Sequence, residues 1–167
     1  MTSFQPELWV DQAAAAVSFY EAAFNATVVH RVGEGDDIVA QLAVEEAAFW
    51  VAAASPALKR LSPLAIDGAT SRTLLVVDDP DAVVEQAVKS GATKTSAVVE
   101  EHGWRMGRIV DPFGHEWEIG RPKDLGRRAD AAASRPNEVD DVCRSARKIS
   151  RPRKRIGLRS SAGALHG

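Results

Sequence analysis

Residues 111–118 read Asp-Pro-Phe-Gly-His-Glu-Trp-Glu. Proline and glycine at the second and fourth places suit a tight reversal, and Glu116, Trp117 and Glu118 alternate like a strand with one covered face. Working back from this reversal, Arg105 to Val110 and Thr93 to Glu100 read as strands, and Gly91 ends a helix lined on one face by Ala82, Val83, Ala87 and Val88. That helix opens at Asp79-Pro80, an N-cap followed by proline at the first helical position, and Thr73 to Val77 is the strand before it. The unit is strand, helix, three strands.

The same order occurs once earlier. At an offset of 67 residues Val10-Asp11 falls on Val77-Asp78, Ala15 on Ala82, Val17 on Val84 and Trp50 on Trp117. Glu7 to Val10 reads as a strand, with Asp11 placed to cap a helix carrying Ala13, Ala16, Val17, Tyr20 and Phe24 at helical spacing; Asn25 closes it. β-Branched Thr27-Val28-Val29, a Gly33-Glu34-Gly35-Asp36 turn and the strands Ile38 to Val44 and Ala47 to Ala53 complete the first copy. Ser55 to Thr70, with Pro56 and Pro63, links the copies.

Composition sets the outer bounds. A chain of 167 residues, 45% hydrophobic and 26% charged, suits one globular core and excludes a fibrous repeat. No apolar run approaches the roughly 20 residues that span a bilayer, and Met1 to Glu7 lacks a basic start and a hydrophobic run, so a cytoplasmic protein is expected. The single cysteine, Cys143, excludes an intramolecular disulfide and a multi-cysteine zinc site.

Charge divides the chain. From Arg121 onward there are 13 Lys/Arg against 5 Asp/Glu, leaving 8 against 18 in residues 1–120. The expected organisation is a domain over 1–122, with modules 4–55 and 70–120, and a basic, largely disordered tail over 123–167 with a possible helix over 138–150. Seven basic residues between Arg144 and Arg155 give a weak attraction for nucleic acid, but all ten aromatic residues lie at or before Trp117. The tail therefore lacks the stacking side chains of a single-strand reader.

Val10-Asp11, Phe19-Tyr20, Val77-Asp78-Asp79 and above all 111–118 resemble the vicinal oxygen chelate superfamily, in its glyoxalase/bleomycin-resistance-like branch. The resemblance covers residues 5–120. It implies an α+β fold of two βαβββ modules forming a half-open curved-sheet cup, a homodimer, and a cup completed within one chain or across two. It also implies either an enzyme holding one divalent metal through the first and last strands of each module, or a metal-free antibiotic-binding protein of the kind that confers antibiotic resistance.

Carried over residue by residue, the four metal positions fall on Gln5, Val51, Arg72 and Glu118, with the register at Val51 open by one residue. Val51 has no donor atom and Arg72 is a cation without a lone pair. The expectation is that no metal cofactor is used and that Arg72 stands where the ion's charge would be. Alternation along the strands then lines the cup with Gln5, Glu7, Trp9, Phe49, Val51, Arg72, Leu74, Glu116 and Glu118, and turns Trp50 and Trp117 beneath the helices. Trp104 joins the site from a hairpin at its mouth, beside Glu100, Glu101 and His102. Arg72 with Glu118 reads either as an ion pair bracing the modules or as part of a ligand site.

His30 and His115 supply no Ser-His-Asp set, and no glycine-rich phosphate loop is present, so no catalytic residue is assigned. The lining suits a partly polar, planar or cationic small molecule. The expected function is metal-independent binding of an antibiotic- or metabolite-like ligand. The alternatives are a metal-dependent lyase, isomerase or dioxygenase with a shell altered to Gln5, Glu7 and Glu118, and an interaction protein using the basic tail.

Overall fold

The structure, a computed structural model, describes residues 2–123; Met1 and residues 124–167, with the expected helix 138–150 and the basic run 144–155, lie outside the described residues. The two copies are present. The first comprises β1 (Glu7–Val10), α1 (Ala13–Phe24), β2 (Thr27–Val32), β3 (Val39–Val44) and β4 (Ala47–Ala53). The second comprises β5 (Arg72–Val76), α2 (Pro80–Lys89), β6 (Thr93–Glu101), β7 (Trp104–Val110) and β8 (Glu116–Pro122). Short 3-10 turns at Pro56–Leu58 and Leu64–Ile66 punctuate the linker.

Each copy forms one four-stranded sheet, ordered β1-β4-β3-β2 and β5-β8-β7-β6. In both, the first strand runs parallel to the last and the other pairs are antiparallel, so each helix carries the chain from one edge strand of its sheet across to the strand at the other edge. This is the α+β architecture of two βαβββ modules. Bulges interrupt the ladder between Val28 and His30 in β2 and between Lys94 and Val99 in β6, where they bend the outer strands.

Local chemistry accounts for the helix ends, with two departures from expectation. Asp79 Oδ1 accepts the Ala82 N–H at 3.1 Å, and Asn25 closes α1 in the left-handed region at φ 53°. The N-cap of α1 is Gln12 rather than Asp11, and no side chain caps that end. The helix depends instead on its buried face, Ala13, Ala16, Val17, Phe19, Tyr20, Ala23 and Phe24. In α2 the covered residues are Pro80, Val84 and Ala87, whereas Val88 is exposed, so the buried face is rotated slightly from the expected one.

An aromatic cluster joins the modules. Tyr20 and Phe49 of the first lie 5.2 Å apart, and Trp117 of the second lies 4.9 Å from Phe24 and 5.6 Å from Phe49, ring centroid to centroid. All of these side chains come from the helix-bearing faces, and α1 packs directly on α2. The helices therefore lie between the sheets, and the uncovered faces of the sheets are turned away from one another. No helix among the described residues is long and apolar enough to cross a membrane.

Candidate functional site

The reversal before β8 is built around one buried carboxylate. Asp111 Oδ2 accepts from Tyr20 Oη at 2.6 Å and Trp117 Nε1 at 2.9 Å; its Oδ1 accepts the backbone N–H groups of Phe113 at 3.0 Å and His115 at 2.9 Å. Four donors satisfy a charge that would otherwise be costly to bury. Gly114 has φ +86°, and a Cβ there would come within 2.9 Å of Pro63 Cβ, so glycine is required. A His115 ring nitrogen lies 3.1 Å from the Trp9 carbonyl oxygen, tying the turn to β1. The knot thus positions β8, whose Glu116 and Glu118 project from the opposite face.

Burial, the Asp111 charge and the hydrogen bond to it together push the Tyr20 hydroxyl well above its usual range. The raised value favours the protonated folded form, so its contribution is complete below the unfolded pKa of about 10 and is lost as pH rises from there through the folded value. Urea titrations at rising alkaline pH should show wild type losing stability faster than Tyr20→Phe, by up to about 1.4 kcal/mol per pH unit. Parallel curves for the two proteins would contradict this linkage.

The open face of the second sheet has a graded composition that its register sets out row by row. Arg72, Glu116 and Val110 form one row; Leu74, Glu118, Arg108 and Ser96 the next; Val76, Gly120, Met106 and Val99 a third; Pro122, Trp104 and Glu101 the last. Glu118 Oε1 accepts from Arg108 Nε at 3.0 Å and from Arg72 Nη1 at 3.4 Å, and Arg72 Nε stands 3.6 Å from Glu116 Oε2. Glu118 is the least exposed of the set, at 18% against 40% for Arg72 and 50% for Arg108. On the helix-bearing face of the same sheet, Arg105 makes two 2.7 Å bonds to Asp81 of α2, and this pairing holds the Asp81 carboxyl below its usual range.

The first sheet presents Glu7, Trp9, Trp50, Gln41 and His30, with Gln5 just before β1. Gln5 Oε1 accepts from Gln41 Nε2 at 2.8 Å and from Trp50 Nε1 at 2.9 Å, and the His30 ring packs edge-on to Trp50 at 6.0 Å. Trp9 Nε1 is buried with no partner among the described residues, and Trp9 and Glu7 border a hollow of about 200 Å³ beneath Leu61, Pro63 and Ile66.

Phe49 and Val51, expected to line the cup, do not face it. Both are buried in the core, and Trp50, expected beneath the helices, faces outward in their place. The cause is hairpin length. β3 and β4 are joined by the two residues Glu45-Glu46, whereas the Asp111 N–H to His115 carbonyl bond of 3.0 Å closes a three-residue loop, Pro112-Phe113-Gly114. The offset of 67 that relates the first strands therefore becomes 68 at the last strands, where Glu7 pairs with Trp50 and Leu74 with Glu118. Trp117 does lie beneath the helices.

The four family metal positions thus become Gln5, Trp50, Arg72 and Glu118, and this donor set does not fit a divalent ion. The one Gln5 atom able to ligate already accepts two hydrogen bonds, Trp50 is a donor only, and Arg72 is cationic. A guanidinium about 4 Å from such an ion would be repelled by several kcal/mol even at an effective dielectric near 20. Among the described residues, no group of three or more His, Cys, Asp or Glu is placed to hold a metal.

The structure places Gln5, Glu7 and Trp9 on one open face and Arg72, Leu74, Glu116 and Glu118 on the other, with Trp104 at the far end of the second. Among the described residues, Glu7 and Trp9 border one hollow and Glu116 another. Sequence reasoning missed Arg108 and Gln41. Both sit in the strand beside the last one, and their alternation with neighbours such as Met106 and Trp104 was the available signal.

Residues 3–119 match the family model described as Glyoxalase/Bleomycin resistance protein/Dioxygenase superfamily. An uncharacterized protein of Mycobacterium bovis is 34% identical over 126 residues, covering 72% of this chain and 83% of the relative. The X-ray structure of a gene product from Arabidopsis thaliana is similar at 28% identity and TM-score 0.56, over 72% of this chain and 99% of that one. A bleomycin-binding protein complexed with bleomycin shares the fold at 22% identity and TM-score 0.53, over 72% of this chain and 98% of its own.

Proposed function

The chain belongs to the glyoxalase/bleomycin resistance protein/dioxygenase superfamily, and from that premise we propose that it is a metal-independent, small-molecule-binding protein of the cytoplasm. Its ligand is antibiotic- or metabolite-like. The observation that carries this reading is the pair of guanidiniums converging on Glu118 at 3.0 and 3.4 Å, which supplies fixed positive charge where the family's enzymes use an ion. That a relative of the same fold is a bleomycin-binding protein agrees with the binding half of the proposal.

A second copy completes the cup in this reading. The two open faces of one chain are turned apart, β1 and β5 are sheet edges, and Leu74 and Val76 on β5 are exposed at 45% and 51%. Pairing the β5 edge of one chain with the β1 edge of another would cover these side chains and bring the two kinds of wall face to face.

Calorimetric titration of chelator-free protein with nickel, zinc and manganese should give no stoichiometric binding, and tight one-to-one uptake of any of them would overturn metal independence. In sedimentation velocity the full chain should run as a dimer and Val76→Glu as a monomer. A wild-type monomer would remove the second copy from the site.

A further inference from the structure

We infer that the open face of the second sheet selects an organic anion: a carboxylate or similar oxyanion head bound by Arg72 and Arg108, with an apolar body lying along Val76, Met106, Val99 and Trp104. This rests on the small-molecule-binding reading above and names the ligand's chemical class. The register already orders the face in this way, with charged side chains in the first two rows and apolar ones, floored by Gly120, in the third. A Cβ on Gly120 would stand 2.9 Å from Met106 Cβ, so the absence of a side chain keeps this row shallow.

The sign of the head follows from counting donors and acceptors. Both guanidiniums spend their bonds on one oxygen, Glu118 Oε1, and that carboxylate is the most covered member of the group. Arg108 Nη1 and Nη2 and Arg72 Nη2 have no partner among the described residues. Glu116 remains outward with a single contact, at 3.6 Å. Those three guanidinium nitrogens carry six unfilled, charge-assisted N–H donors in the planar fork that matches an oxyanion, set against Glu118 Oε2 and the two Glu116 oxygens as the remaining acceptors. The excess of 18 acidic over 8 basic residues in 1–120 opposes an anion from a distance. At physiological ionic strength such charges are screened beyond about 8 Å, so the adjacent donors decide.

The test uses the full chain and three probes of one shape, 2-naphthoate, 2-naphthamide and 2-naphthylmethylammonium, titrated by calorimetry. Naphthoate should bind about tenfold more tightly than the amide and more tightly still than the ammonium. Arg108→Met and Arg72→Met should each remove most of that advantage, weakening naphthoate several-fold more than they weaken the amide. The basic tail is retained in every variant, so nonspecific attraction to it cancels.

Amide or ammonium binding as tight as naphthoate in the unaltered protein would overturn the anion assignment and leave the binding reading standing. Unchanged naphthoate affinity in both Met variants would do the same. No binding of any probe at millimolar concentration would sink both.

Discussion

Asp111→Ala is expected to cost roughly 4 kcal/mol of unfolding free energy, measured by urea titration at neutral pH. The substitution strips the acceptor from two side-chain and two backbone donors at once, in a buried site. Its effect should exceed that of Tyr20→Phe, which removes one hydrogen bond to a charged group and should cost about 1.5–3 kcal/mol. Because Tyr20 belongs to the first module and Asp111 to the second, the loss should appear as a shift of one cooperative transition. A loss below about 1.5 kcal/mol for Asp111→Ala would mean that the aromatic cluster alone holds the modules together.

Phe49→Ala is expected to cost about 3–5 kcal/mol, because the ring is buried between Tyr20 and Trp117 and leaves a cavity that its neighbours cannot close. Its sequence neighbour provides the contrast. Trp50→Ala removes a partly exposed side chain and one hydrogen bond to Gln5, so it should cost less than about 1.5 kcal/mol in the same assay. Comparable losses at the two positions would mean that β4 does not turn Phe49 inward and Trp50 outward.

The same pair of residues marks where sequence reading stops. The order of elements was legible because each signal is local: proline and glycine at reversals, Asp79 before Pro80, and apolar spacing along each helix. The facing of β5 and β8 was legible too, since alternation counts reliably inside a strand. The facing of β4 was inferred across a duplication, and that step assumes both hairpins have equal loops. One residue of difference between Glu45-Glu46 and Pro112-Phe113-Gly114 reversed every assignment in that strand. Arg108 escaped for another reason. Its role depends on lying opposite Glu118 across the β7–β8 ladder, a pairing that the register sets and residue type alone does not announce.

That three-residue loop has a consequence for how the chain can change. Side chains alternate with a period of two, so an odd gain or loss in either hairpin exchanges inside for outside along the whole closing strand. Removing one residue from 112–114 would offer Glu118 to the interior and Trp117 to water. The left-handed glycine at 114 is what permits the odd count, by returning the backbone in step after an extra residue. The length of each final reversal in this duplicated protein is therefore locked to the chemistry its strand displays.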